Sequence, residues 1–263
     1  MDVNIFTDNL NTKVFGRNTV IFESIDSTNT KMIEDLNNGL NLEEGSVYIA
    51  LKQTNGKGSF GNSWQSDNNL GLWCSILAYS PYKKNPISLL PGIALTKLLK
   101  EKYNIDAHSK WPNDVLIKTK KISGTLIQVI PTNDKKQNAC IIGVGVNLYH
   151  KKEDFDYNIK DKATSLLIET NKKVEIENFY KDFIKYFEDI YYNEYSLIDL
   201  FKTYTKMIGK KIKAKNNNIE TDVFVKDITK EGYLIVETYN EEKKITKEET
   251  WISRASLDID TNY

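Results

Sequence analysis

The sequence predicts an α/β (α+β) chain, with strands and helices interleaved through residues 1–205 and a small all-β barrel over 206–263. Three observations lead there. Short β-prone apolar runs recur from Val20 onward, a helical apolar stripe covers about 86–103, and the composition changes near Gly209 to brief strand-like runs. A chain of 263 residues has room for one large domain and a small appendage. Folding at that size buries roughly three quarters of the unfolded surface, so no disulfide is needed to hold it.

The elements follow in order. Val20–Ile25 reads as a strand, and Asp26 or Ser27 then caps a short helix carrying Met32, Ile33 and Leu36 and ending near Gly39. A second strand, 47–52, runs into the loop Gln53-Thr54-Asn55-Gly56-Lys57-Gly58-Ser59-Phe60-Gly61-Asn62-Ser63-Trp64. Leu70–Tyr79 is apolar and β-prone. The helix over 86–103 buries Leu89, Leu90, Ile93, Leu95, Leu98 and Leu99, with Pro91 marking an alternative start. Runs 115–117 and 122–130 predict a hairpin turning at Thr119-Lys120, and 139–148 a further strand. Helices are expected over 162–170 and 175–200. Short strands follow at 211–214, 223–225, 233–236 and 249–252.

Composition narrows the function classes. Hydrophobic residues at 40% and charged residues at 27% fit a globular rather than a disordered chain. Lys plus Arg balances Asp plus Glu at 36 each, so the basic excess of a dedicated nucleic-acid binder is missing. No apolar run reaches the roughly 18 residues of a membrane helix. The acidic N-terminus, Met-Asp-Val-Asn-Ile-Phe-Thr-Asp, argues against a secretory signal and an arginine-rich transit peptide. A cytoplasmic protein is expected by default, or an organellar one if a leader has been trimmed. Cys74 and Cys140 lie in apolar runs and read as buried small hydrophobes. With His108 and His150 they lack the paired spacing of a zinc set.

Two segments could carry chemistry. Glycines 56, 58 and 61 allow main-chain N–H groups to converge on an anion, and Lys57 adds charge. The loop is neither a P-loop nor a dinucleotide fingerprint, because no Gly-Lys-Ser/Thr opens a helix and a strand is expected after Trp64. Taken alone it also reads as a surface connection. The second segment, Lys110-Trp111-Pro112-Asn113-Asp114, packs a cation, an amide and a carboxylate into five residues stiffened by proline. Alone, it also reads as a turn around a part-buried tryptophan.

Together these segments resemble the biotin protein ligase family. Lys-Trp-Pro-Asn-Asp matches that family's signature, and Gln53-Thr54-x-Gly56-Lys57-Gly58-x-x-Gly61-Asn62-x-Trp64 resembles its biotin- and adenylate-covering loop. Ser27-Thr28-Asn29 is similar to its biotin contact, Lys121-Ile122-Ser123-Gly124 to its lysine motif, and Gly143-Val144-Gly145-Val146-Asn147 to its Gly-x-Gly-x-Asn strand. The five matches stand in family order between about 20 and 150.

The resemblance implies a mixed β-sheet flanked by helices, like class II synthetase catalytic domains, with an SH3-like C-terminal barrel. Periodicity is compatible with that architecture without selecting it. The implied activity joins biotin to ATP as biotinyl-5'-AMP and then transfers biotin to a lysine of a carboxylase's biotin carrier domain. The resemblance implies catalytic roles for Lys121, Asp114 and Lys110, and a Mg²⁺ contact for Asp114. Ser27, Thr28, Asn29, Gln53, Trp64 and Gly124 would meet biotin. Gly56, Lys57, Gly58, Ser59, Asn113 and Asn147 would serve the adenylate and phosphate. Family members occur as monomers and as dimers, and either is expected here.

One departure stands out. Most members carry Arg where this chain has Ser59, which brings neither charge nor a bidentate fork. Weaker adenylate retention is therefore expected unless Lys57 or another cation compensates. A lipoate ligase is the nearest enzymatic alternative, but its Arg-Arg and glycine-triplet motif is not found. A catalytically inactive biotin-binding module is disfavoured by the presence of Lys121 and Asp114. A DNA-binding repressor is disfavoured because few residues precede the first strand.

Overall fold

A computed structural model describes residues 3–67, 69–80, 82–132, 137–216, 219–238, 242–245 and 251–252. A short helix α1 (Asn4–Thr7) and strand β1 (Thr19–Phe22) lead into α2 (Thr28–Asn37) and β2 (Val47–Ala50). Then follow β3 (Gly71–Tyr79), α3 (Leu90–Tyr103), β4 (Ala107–Lys110), β5 (Asp114–Ile117), β6 (Lys120–Pro131) and β7 (Asn138–Asn147). Helices α4 (Leu166–Thr170), α5 (Ile176–Tyr192) and α6 (Leu197–Tyr204) precede β8 (Lys211–Asn216), β9 (Ile219–Ile228), β10 (Leu234–Glu237), β11 (Glu242–Ile245) and β12 (Trp251–Ile252). Seven strands form one mixed sheet in the order β1-β2-β3-β7-β6-β5-β4, in which β1 and β2 run parallel and the other pairs antiparallel. β8–β12 form a second sheet in the order β11-β10-β9-β8-β12.

Alternation along β3 sorts the two faces of the large sheet. Leu72, Cys74 and Ile76 enter the main core with residues of α3, α5 and α6, while Leu77 joins Met32 of α2 in a smaller cluster. One face is therefore sealed by helices. The other carries α2 over part of its length and leaves the rest open. Both cysteines are buried thiols, as the sequence suggests. The main core continues into the second sheet through Ile212, Val223, Val225, Leu234 and Val236. Trp111 ties the two together, its Nε1–H donating to Gly232 O at 2.8 Å.

Several expectations are corrected. The helix stripe over 86–103 resolves into a 3₁₀ turn, Ile87–Leu89, and a helix with Pro91 in its first turn. The hairpin turns at Lys118-Thr119, one residue early, with Lys118 at φ 52°. The helix expected over 162–170 shrinks to Leu166–Thr170 because Lys162 and Thr164 bond the main chain of Lys121 instead, and Ser165 caps what remains. The helix expected over 175–200 is two, separated where Asn193 goes extended and Ser196 caps the second. Strands β4 and β11 have no counterpart in the sequence reading. Residues 249–250 of the last expected strand lie outside the described residues. No helix of the described residues is long and apolar enough to cross a membrane.

β4 also buries a titratable group. His108 is 3% exposed, and its Nδ1 has no hydrogen-bond partner among the described residues. Burial chiefly, with help from Lys206, pulls its pKa from 6.5 down to about 4. The fold thus holds a neutral imidazole that the unfolded chain protonates. Stability should be flat in this respect above pH 6.5 and fall by on the order of 3 kcal/mol as the pH drops to about 4. Replacing His108 with Leu should flatten part of that acid slope in denaturant titrations. His150, also lowered by burial, supplies a second part. Equal slopes in wild type and variant would contradict the assignment.

Candidate active site

The open face of the large sheet holds a cavity of about 740 Å³. Its lining brings together Ser27, Thr28, Asn29, Gln53, Lys57, Gly58, Ser59, Trp64, Lys110, Asn113, Asp114, Lys121 and Gly124, which come from segments far apart in sequence. Gly56 and Asn147 are not in it. Lys162 and Asp161 are, and the sequence reading missed both. Lys57, Lys110, Lys121 and Lys162 give the cavity a positive bias against Asp114 and Asp161.

A bulge places the central lysine. Gly124 pairs with Asp114 and Ser123 with Val115, but Leu116 pairs with Lys121, so Ile122 is an extra residue. In a regular strand Lys121 and Gly124, three apart, would point to opposite faces; one bulged residue turns Lys121 onto the cavity face. There its Nζ lies 2.5 Å from Asp114 Oδ1, with both side chains 13% exposed. It also stands 5.0 Å over the Trp64 ring. Low exposure strengthens the attraction within this pair and so fixes the ammonium on the cavity face.

Two glycines make the room. Gly124 on β6 pairs with Gly145 on β7. A Cβ at 124 would sit 2.7 Å from Lys121 Nζ and 3.0 Å from Trp64, and one at 145 would sit 2.4 Å from Trp64 Nε1. The indole therefore lies flat on the sheet as one wall of the cavity, and its buried N–H has no partner among the described residues.

The opposite end is a polar network. Ser27 caps α2, accepting from Thr30 N–H. Thr28 N–H donates to Gln53 Oε1 at 2.9 Å, and Gln53 Nε2 donates to Ser66 Oγ at 2.9 Å. Asn29 donates to Leu126 O and Gln128 Oε1, and accepts from Ser75 Oγ. Ser66, Ser75 and Gln128 hold the expected residues in place; the sequence carried no signal for them beyond being small or polar within strands and loops.

The glycine-rich loop departs from expectation. Trp64 N–H bonds Gly56 O and Gly58 N–H bonds Asn62 O, so the loop closes on itself as a narrow flap. In this form the loop uses the Gly58 amide internally rather than offering it to an anion. It presents instead the side chains of Lys57, which donates to Thr30 Oγ1, and Ser59, whose Oγ accepts from Asn113 Nδ2 at 2.9 Å. Asn147 is likewise turned away from the cavity. Its Nδ2 donates to Thr164 O at 3.1 Å, and Thr164 N–H donates to Lys121 O, so it braces Lys121 from behind.

The cavity's lysines and the open sheet face fall within or border the stretch 21–147 that matches the family described as "Biotin/lipoate A/B protein ligase family", a class of cofactor protein ligases. The bifunctional ligase/repressor BirA of Bacillus subtilis is 32% identical over 244 residues, covering 90% of this chain and 74% of that protein. The human biotin–protein ligase is 26% identical over 195 residues, covering 70% of this chain and 26% of that protein. Among solved structures, the Aquifex aeolicus biotin protein ligase in complex with biotin and ATP shares the fold with a TM-score of 0.73 at 24% identity, over 90% of this chain and 99% of that one. The chain belongs to the biotin protein ligase family, and it is a biotin ligase.

Proposed function

We propose that the cavity binds biotin and ATP together, forms biotinyl-5'-AMP, and passes biotin to one lysine of a biotin carrier domain from a carboxylase. The observation that carries this reading is Lys121, turned by the bulge onto a cavity floored by Trp64 and walled by cations. In the first step a carboxylate oxygen of biotin bonds to the α-phosphorus of ATP, and the bond to pyrophosphate breaks. Two anions must meet, so cations already in position do most of the work. Lys121 serves the carboxylate and α-phosphate, with Lys110 and Lys57 beside the phosphates. Ser27, Thr28, Asn29 and Gln53 present the polar end for the ureido group, and Trp64 covers the apolar body. In the second step an uncharged lysine amine of the carrier attacks the acyl carbon, AMP leaves, and the amine's proton passes to solvent.

Magnesium fits this donor set as a companion of the triphosphate. Asp114 offers a hard carboxylate oxygen in the cavity, and Asp161 is also in its lining. That suits an ion that keeps its waters and binds through one or two carboxylates plus phosphate. Asp114 would hold it and Asn113 would brace that strand end. Its contribution would be to offset phosphate charge.

The division at 205/206 belongs to this proposal, the first part carrying the cavity. The test is mass spectrometry of the chain with biotin, Mg·ATP and a carrier domain: one biotin per carrier, lost on mutating the carrier lysine, supports the reading, and no adduct ends it. Ser59 gives a sharper expectation. With a hydroxyl where an arginine fork would sit, adenylate should escape faster than from Ser59→Arg, by roughly tenfold for one charge-assisted contact. Filter-trapping of labelled adenylate measures it, and equal release rates would refute it.

A further inference from the structure

Gln65, next to Trp64, is absent from every motif above. Its Oε1 accepts from Asp156 N–H at 3.1 Å, and its Nε2 donates to Asp154 O at 2.7 Å and to the Asp67 carboxylate. The two main-chain bonds bracket Phe155. That ring stacks on His150 at 4.6 Å and 7°, His150 meets Trp73 edge-on at 5.9 Å, and Trp73 meets Trp64 at 6.4 Å. From Phe155 the chain passes Asn158, Ile159, Asp161 and Lys162, all in the cavity lining. It ends by gripping Lys121, whose N–H donates to Lys162 O at 2.8 Å and whose carbonyl accepts from Thr164 N–H at 3.0 Å. The segment 154–164 is therefore a cavity wall fastened at two ends, at Lys121 and at Gln65.

We infer that Gln65 is a positioning residue for adenylate formation and retention, a two-ended clasp that holds this wall against the tryptophan side of the cavity; the inference rests on the function proposed above. A carboxamide suits the place because it offers an acceptor to Asp156 N–H and a donor to Asp154 O at once. Glutamate keeps the acceptor but turns the donor into a second oxygen facing a carbonyl and Asp67. Methionine keeps the length and offers neither.

The experiment compares the full chain with Q65E and Q65M in four measurements: pyrophosphate exchange, chase of bound adenylate, amide hydrogen exchange without ligands, and thermal unfolding. In both variants exchange over 154–164 should speed up, while KM for ATP and the adenylate release rate rise about tenfold, the equivalent of one lost pair of neutral hydrogen bonds. The melting temperature should stay within about 4 °C of wild type, which separates local loosening of this wall from general loss of structure. Unchanged hydrogen exchange over 154–164 overturns the clasp, and so does faster exchange with ATP and adenylate parameters unmoved. If the wild type forms no adenylate, the proposed function fails, and the clasp as a structural tie is then decided by the exchange data alone.

Discussion

Replacing Lys121 with glutamine is expected to lower carrier biotinylation by about two to three orders of magnitude, the usual loss when one preorganised charge or donor is taken from a developing anion. The loss should fall on adenylate formation. Supplying preformed biotinyl-adenylate should restore labelling to within about tenfold, because the second step asks less of this cation. Glutamine preserves most of the side chain's length and can still donate to Asp114, which limits the cost of leaving a part-buried carboxylate without its partner. Thermal unfolding of K121Q measures what remains of that cost. A variant that folds, cannot make adenylate and uses the preformed intermediate is the expected result. A variant that keeps wild-type exchange of pyrophosphate would remove Lys121 from the chemistry.

Adding a methyl group at Gly145 should have the second largest effect, and it should fall on biotin. A Cβ there would lie 2.4 Å from Trp64 Nε1 and 2.5 Å from Cε2. β7 cannot yield, because Gly145 is paired with Trp73 on one side and Gly124 on the other. The indole must lift, and overpacking of this kind costs about 1–3 kcal/mol, or roughly 5- to 150-fold in biotin affinity. Calorimetric titration of G145A with biotin checks it. A second substitution, Trp64→Phe, should return part of the affinity by shrinking the ring that clashes. Unchanged biotin binding in G145A would mean that the indole is not a wall of the biotin site.

Much of this site was legible because its chemistry is carried by local runs. Lys110 to Asp114 is one stiff stretch, and Ser27 to Asn29 is a cap followed by the first turn of a helix, so their neighbours in sequence are also neighbours in space. What could not be read depends on register and on long-range pairing. Nothing in Lys-Ile-Ser-Gly announces that Ile122 is the extra residue of a bulge, yet without it Lys121 would face the helices. The helical pattern expected at 162–165 is satisfied by local propensity, but the exposed main chain of Lys121 competes for the same carbonyls and amides and wins. The glycine loop shows another limit. Its composition permits converging amides, and which partner each amide takes is decided by Asn62 and Trp64 across the flap. Gln65 illustrates the same limit, since its value comes from two main-chain groups ninety residues away.

Strand order was equally out of reach. The parallel pairing of β1 with β2 and the neighbouring of β3 with β7 join strands separated by long stretches of chain, which apolar runs do not specify. The composition change near Gly209 could be read in the sequence, but the docking of Trp111 on Gly232, a contact between residues far apart in the chain, could not.

The most direct test of the central claim is to incubate the purified chain with biotin and Mg·ATP without any carrier, quench it, and identify what is bound. Biotinyl-5'-AMP near one per chain, formed with equal pyrophosphate and absent in K121Q, is the result this account predicts. A chain that labels a carrier while releasing ADP, or that makes the same adenylate without Lys121, would contradict it.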